Sequence, residues 1–113
     1  MRDLHREDCA VLYLTLKRKW YDMIASGEKK EEYRDNTPHW SVRIQNAIKH
    51  SGRRKPIVVA FSLGRTRATM FFEVSLIKSV VGSQHPEWGE PIYLHYLILL
   101  GERVNLVAGA TKK

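Results

Sequence analysis

The stretch Ser26–Asp35 reads Ser-Gly-Glu-Lys-Lys-Glu-Glu-Tyr-Arg-Asp, and seven of its ten residues carry charge. Within it, Gly27, Lys29, Glu32 and Arg34 form the pattern G-x-K-x-x-E-x-R. Apolar segments flank the stretch, so we expect it at a turn, at a sheet edge or in a polar cleft. Glycine permits positive φ and close approach of a ligand, and a carboxylate between two cations can hold both in place. These four residues suit a polar or anionic ligand. An exposed strand whose charged side chains pair with one another in water would show the same pattern.

The segment before this stretch predicts a strand and then a helix. Ala10–Leu16 is apolar and rich in residues that favour strands, which predicts a buried strand. Arg18–Ser26 follows with Trp20 and Ile24 four residues apart on one helical face, an arrangement more typical of core packing than of a ligand platform. Gly27 stands where a helix C-cap glycine belongs.

Lys29–Arg34 is predicted as a second strand, although only Tyr33 is a good strand former. Alternation along a strand would place Lys30, Glu32 and Arg34 on one face and Tyr33 on the other, in the core. We expect Lys29 in the preceding turn, with its side chain bent back towards the cleft. A segment that departs so plainly from local propensity is where function is expected.

The second half predicts one more helix and three strands. Thr37-Pro38 is a helix start, with a hydroxyl at the N-cap and proline at the first helical position, and Gly52 ends that helix. Between these ends, Arg43 is expected to face solvent. The three strands are Ile57–Leu63, Ala68–Lys78 and Ile92–Leu100, and Val80–Pro91 between the last two is an irregular loop. The predicted order is β-α-β-α-β-β-β.

The net charge of +7 and the pI near 9.8 favour polyanionic partners. The basic residues form three clusters at the ends of predicted elements, where loops can converge on one face. The candidate binding residues in these clusters are Lys17, Lys19, Arg53, Arg54, Arg65 and Arg67. Thr66 lies between the last two arginines, and its hydroxyl could serve a phosphate or an ordinary turn.

The length of 113 residues predicts a single domain, 1–113, with a core of about residues 10–104 and a frayed basic tail, Ala108–Lys113. One cysteine excludes an internal disulfide and favours a reducing cytoplasmic setting. We expect no metal and no cofactor, since neither a cysteine cluster nor a helical histidine pair is present. No secretory signal and no membrane association are expected.

Gly27, Lys29, Glu32 and Arg34 resemble the signature of the ASCH domain family, a branch of the PUA-like superfamily. A strand ending in Phe61-Ser62-Leu63-Gly64 and a closing strand over Tyr93–Gly101 fit the same family, and the resemblance covers roughly Ala10 to Val104. It implies an α+β fold, a small PUA-like mixed β-barrel of about five to six strands flanked by two helices. It also implies RNA or nucleotide recognition in a cleft beside the signature.

The leading hypothesis is a binding module for single-stranded or structured RNA, or for a nucleotide or modified nucleoside. Lys29 and Arg34, held by Glu32, would contact a phosphate or a polar base edge. The basic clusters would follow the nucleic-acid backbone. Trp88, in the irregular loop, is expected to be partly exposed and could stack a base.

Two alternatives stay open. Some proteins of the fold are hydrolases. Lys29, Glu32 and Arg34, with His39 as a further candidate, would then be the catalytic residues of a metal-independent ribonuclease. Amidohydrolases of this fold that act on a modified pyrimidine nucleoside have threonine three residues after the lysine. Glu32 occupies that position here, which weakens that activity. The second alternative is a protein-interaction module.

Overall fold

The structure is a computed structural model that describes residues 1–108, so the tail from residue 109 lies outside the described range. Six strands and two helices form the fold. In chain order they are β1 (Arg2–His5), β2 (Ala10–Leu16), α1 (Arg18–Ala25), β3 (Glu31–Asp35), α2 (Pro38–Ser51), β4 (Ile57–Leu63), β5 (Thr69–Val80) and β6 (His95–Val107). The predicted α+β class and all seven predicted elements are confirmed.

The helix ends lie where the local signals predict them. Gly27 takes φ of 86°, and its N–H bonds the Ile24 carbonyl just after α1. Thr37 caps α2, with its hydroxyl accepting from the Trp40 amide at 3.5 Å. Gly52 ends α2 in the left-handed conformation, with φ of 56°. Such left-handed positions favour glycine because it has no Cβ.

The strands form one mixed sheet in the order β1-β6-β5-β4-β2, and β3 pairs separately with β6. The β2–β4 and β1–β6 pairs are parallel, whereas β4–β5, β5–β6 and β3–β6 are antiparallel. In β2–β4 the register sets Leu16 opposite Leu63. The segments that leave these two strands therefore start at the same end of the sheet.

The sheet is open between β2 and β3, unlike the closed barrel that the family resemblance implies. Within residues 1–108 no ladder joins these two strands. The guanidinium of Arg34 on β3 nevertheless donates to the Thr15 carbonyl of β2 at 3.0 Å. We call the opening between the edges of β2 and β3 the seam. A side chain bridges it, so the sheet curls far enough to bring its two edges close.

The last strand differs from its prediction at both ends. It begins at His95 rather than Ile92, and it continues through Gly101 to Val107 rather than stopping at Leu100. β5 approaches Gly101 closely, because a Cβ there would lie 2.9 Å from Ser75 Oγ and 3.3 Å from the Glu73 carbonyl oxygen. This contact occurs near the irregularities in the β5–β6 register. A glycine inside a strand often marks such a close approach.

The first strand was not predicted, and the sheet extends beyond the expected core of residues 10–104. Residues Arg2–His5 pair with Val104–Val107 at the end of β6. The sequence Arg-Asp-Leu-His has no apolar alternation, and only Leu4 is partly buried. Its strand conformation comes from the partner strand, a contact that local propensity does not report.

The main core lies between the two helices and one face of the sheet. It contains Ile24 of α1, Ile44 of α2, and strand residues that include Phe61 and Ile98. A smaller cluster of Cys9, Val58 and Val104 packs on the opposite face. In the described part of the chain, neither helix is long and apolar enough to cross a membrane.

Candidate functional site

A cleft of about 960 Å³ opens along the seam between β2 and β3. All three tryptophans of the chain line it, together with cationic, acidic and tyrosine side chains. The polar and aromatic lining residues are Tyr13, Thr15, Lys17, Trp20, Glu32, Tyr33, Arg34, Asp35, His39, Trp40, Arg43, Ser62, Trp88 and Tyr93. Such a lining can both stack a planar ring and bind charged or polar substituents.

Glu32 lies on the wall of this cleft between two cations. Its Oε1 accepts from Lys29 Nζ at 2.7 Å, and its Oε2 accepts from Arg34 Nη1. Only 5% of Glu32 is exposed. A buried carboxylate held at both oxygens by charge-assisted bonds has a fixed orientation.

Lys29 lies behind Glu32 rather than in the cleft, contrary to the prediction that it bends towards a ligand. Its side chain is 1% exposed, and its Nζ also donates to the Glu31 carbonyl. The ammonium lies 4.7 Å from the Tyr33 ring centroid and 5.6 Å from that of Trp20. Burial lowers the pKa of Lys29, while the neighbouring Glu32 acts to raise it. The lysine therefore supports Glu32 and does not itself reach a ligand in this conformation.

Arg34 forms the bridge across the seam. Its Nη1 donates to the Tyr33 carbonyl at 2.7 Å as well as to Glu32, and its Nη2 donates to the Thr15 carbonyl. Its guanidinium carbon lies 5.0 Å from the ring centroid of Trp40. Among residues 1–108, Nε and the second hydrogen of Nη2 have no protein acceptor. These two donors remain for a ligand.

Tyr33 is buried as predicted, but it does not join the main core. In the β3–β6 register Glu32 and Arg34 stand opposite Ile98 and Tyr96, which belong to the main core. Residues opposite each other in an antiparallel pair share a face, so Glu32 and Arg34 occupy the core face of β3. The ring of Tyr33 packs edge-on against His95 on the other face.

The loop 81–94 carries Trp88 and is held by one buried carboxylate. Glu90 Oε1 accepts from the amides of Gln84 at 2.8 Å and His85 at 3.0 Å, and its Oε2 lies 2.9 Å from His95 Nε2. The predicted partial exposure of Trp88 is confirmed, and one face of its ring stacks on His85 at 4.0 Å. A fixed loop thus presents Trp88 to the cleft.

Gly89 fixes the distance between that loop and Trp20, and a pair of alanine substitutions tests this role. A Cβ on Gly89 would lie 2.8 Å from Trp20 Cζ2, whereas one on Gly27 meets no heavy atom within 4 Å. Both residues have positive φ. We expect Gly27→Ala to cost about 1–2 kcal/mol from backbone conformation alone, and Gly89→Ala to cost about 1–3 kcal/mol more from overpacking. Urea unfolding measures both costs, and equal losses would contradict the contact.

The basic clusters at the carboxyl ends of β2 and β4 lie at the cleft end of the sheet. Lys17 lines the cleft, and the Lys19 ammonium lies 4.7 Å from the Trp20 ring centroid. The turn that contains Arg65 and Arg67 is tied to β2, since Gly64 N–H donates to the Leu16 carbonyl at 3.0 Å. Thr66 uses its hydroxyl within that turn, donating to the Leu63 carbonyl at 2.7 Å. This contact favours the ordinary-turn interpretation of Thr66.

The third cluster does not join the other two, contrary to the expectation that the loops converge. Arg53 and Arg54 precede β4, whereas Arg65 and Arg67 follow it. β4 is seven residues long, so the two clusters are separated by about 20 Å of strand. The parallel register of β2 and β4 places Lys17 at the far end from Arg53. Arg53 and Arg54 are therefore outside the cleft.

Sequence reasoning missed several residues of the cleft wall. Arg43 is exposed as expected, yet it also lines the cleft and lies 5.9 Å from the Trp40 ring centroid. Its spacing of three residues from Trp40 on α2 was the available signal. Tyr93 comes from the irregular loop, and its hydroxyl donates to Asp35 Oδ1 at 3.1 Å. No local pattern predicts that contact.

Comparison with protein-family models, curated proteins and solved structures found no match. Within residues 1–108, no group of three histidine, cysteine, aspartate or glutamate side chains is placed to hold a metal ion. The cleft must therefore be interpreted from its own geometry. That geometry provides a fixed carboxylate, two arginines whose guanidinium carbons lie 5.0 and 5.9 Å from the Trp40 ring centroid, and three indole rings.

Proposed function

We propose that the cleft binds single-stranded RNA or a nucleotide. The observation that carries the proposal is the placement of all three tryptophans in one cleft with Arg34 and Arg43. Indole rings stack bases of any sequence, and arginines pair with phosphate oxygens. Lys17 and the exposed Arg65 and Arg67 extend the positive charge beyond the cleft at the same end of the sheet.

The proposal includes the ASCH-like assignment and the curled, barrel-like form of the sheet. It is supported by the order of the elements and by the position of Glu32 and Arg34 beside the cleft. The bridge from Arg34 to Thr15 brings the open edges of the sheet together, which is compatible with a barrel closed by side chains. A reducing cytoplasmic setting is part of the same proposal, and the buried free thiol of Cys9 suits it.

Fluorescence anisotropy of a labelled single-stranded RNA tests the proposal, with substitutions that separate stacking from charge. Trp88→Ala should lower the affinity by about 1–3 kcal/mol while leaving the salt dependence nearly unchanged, because it removes a stacking surface. Arg43→Ala should reduce the slope of log K against log salt by about 0.7, because it removes one phosphate contact. Lys29 is unsuitable for this test, because its substitution would disturb a buried ion pair.

Lys49→Ala is the matched control for Arg43→Ala. Lys49 lies on the same helix, is exposed and is not part of the cleft wall. Lys49→Ala removes the same unit of charge as Arg43→Ala, but outside the cleft. It should therefore change neither the affinity nor the salt slope appreciably. If Arg43→Ala and Lys49→Ala weaken binding equally, the effect is one of net charge, and the cleft is not the binding site.

A metal-independent ribonuclease is the second candidate, because His39 lines the same cleft as Glu32 and Arg34. These groups are a proton-transfer residue, a carboxylate and a cation, which RNA cleavage requires near the phosphate. The amidohydrolase alternative has less support, since Lys29 is buried behind Glu32. Incubating the same labelled RNA with wild type and His39→Ala distinguishes cleavage from binding.

A further inference from the structure

Arg34 and Glu32 place hydrogen-bond donors beside two carboxylate acceptors on the cleft wall. Arg34 Nη1 contacts Glu32 Oε2, so the guanidinium and the carboxylate are neighbours on the cleft wall. Glu32 lies between two cationic side chains, and a carboxylate can only accept hydrogen bonds. Each of its oxygens receives one protein donor and retains a further accepting direction.

Each base presents a different sequence of groups on its Watson–Crick edge. Guanine presents the O6 acceptor, then the N1–H donor, then the 2-amino donor. Adenine and cytosine each place a ring-nitrogen acceptor beside their amino group, and uracil has one N–H between two carbonyl oxygens. Two adjacent donors therefore occur in guanine alone. An acceptor facing the carboxylate would leave both groups unpaired, which is costly in a buried site.

We infer that the cleft selects guanine, with Glu32 accepting from N1–H and the 2-amino group and a free N–H of Arg34 donating to O6. The inference rests on the proposed function and names the base that the site takes. Arg34 has donors available for this purpose, because its Nε and one hydrogen of Nη2 are without protein acceptors among the described residues. The tryptophans would supply stacking for the ring, as they would for any base.

The position of Lys29 is explained by the same arrangement. A carboxylate that must accept two bonds from a neutral base has to remain charged and oriented in a nearly water-free place. Lys29, at 1% exposure, supplies the compensating charge from behind without competing for the cleft side of Glu32. Lys29 is thus a positioning residue for the carboxylate.

The test compares wild-type binding to five labelled octamers of uridine whose central nucleotide is guanosine, inosine, adenosine, cytidine or uridine. Inosine differs from guanosine only in lacking the 2-amino group. We expect the guanosine octamer to bind about tenfold or more tightly than the adenosine, cytidine and uridine octamers, and inosine to lose most of that advantage. Equal affinity for guanosine and inosine, or preference for another base, would overturn the inference.

The outcomes separate this inference from the function on which it rests. If all five octamers bind equally and Trp88→Ala weakens all of them, the cleft binds RNA without reading guanine. If none of them binds, both proposals fail. Glu32→Gln provides a second test, since it exchanges one acceptor for a donor and should abolish the preference while keeping the salt slope. Should that variant not fold, the guanosine–inosine comparison on wild type decides alone.

Discussion

Replacing Glu32 with alanine is expected to destabilise the fold by about 3–5 kcal/mol, the cost of leaving a buried charge without its partner. Lys29 would lose the only carboxylate that contacts its ammonium within the described residues, while staying 1% exposed. Arg34 would be affected less, because it retains its bonds to the carbonyls of Tyr33 and Thr15. The shift in the urea unfolding midpoint measures the loss.

Removing the lysine as well separates charge from packing. In Lys29→Met/Glu32→Ala neither buried charge is left unpaired, so we expect the double variant to be more stable than Glu32→Ala alone by about 2 kcal/mol or more. The comparison requires the Lys29→Met single variant to complete the cycle. If the two single losses simply add in the double variant, the ion pair does not control the stability of this region.

Glu90→Ala is the other substitution with a large expected effect, about 3 kcal/mol or more. Both nitrogens of the His95 ring lie close to oxygen atoms, Nε2 at 2.9 Å from the Glu90 carboxylate and Nδ1 at 2.6 Å from the Tyr93 carbonyl. The alanine variant would leave this fully buried ring and two loop amides without the carboxylate. Hydrogen exchange at Gln84 and His85 should accelerate along with the loss of global stability.

Glu87→Ala is a matched control for this prediction. Glu87 lies in the same loop and contacts His85 Nδ1 at 3.0 Å, but its side chain is 57% exposed. Exposed pairs of this kind contribute little to stability, because water and salt screen them. A loss from Glu87→Ala equal to that from Glu90→Ala would show that burial of the carboxylate is not what anchors the loop.

The contribution of Glu90 to the stability of the fold also depends on pH. Burial alone would raise the pKa of Glu90, but the Gln84 and His85 amides and the His95 ring outweigh it, so the pKa lies below its ordinary value. A carboxyl group whose pKa is lower in the folded than in the unfolded protein stabilises the fold. Its contribution is fully present above the unfolded-state pKa, about 4.3, and is lost as the pH falls through the folded-state pKa. Wild type should therefore lose more stability below about pH 4.3 than Glu90→Ala does.

Local chemistry was sufficient for the helices and for most strands. Thr37, Gly27 and Gly52 mark helix ends because their roles depend on the residues next to them. The pairing of Arg2 with Val104 joins opposite ends of the described chain, and no pattern within Arg2–His5 signals it. The position of each basic cluster relative to the cleft likewise depends on the parallel register of β2 and β4, which no local pattern signals.

The sequence predicted which residues belong to the candidate site better than it predicted how they are arranged. Glu32, Arg34 and Trp88 line the cleft, as the pattern around Ser26–Asp35 and the irregular loop suggested. The burial of Lys29 could not be predicted, because the rings of Trp20 and Tyr33 that enclose it come from two different elements. The burial of a charge is decided by its tertiary neighbours.

The seam has a consequence for mutational scanning. β2 is an edge strand there, and the Thr15 carbonyl faces across the opening towards Arg34. Because N–H and C=O groups of alternate residues point to the same side of a strand, Tyr13 also directs its main chain towards the opening. Alanine scanning does not delete these groups. Residual affinity in a single variant would then include a backbone contribution, and replacing the amide of Tyr13 or Thr15 with an ester would remove the N–H part of it.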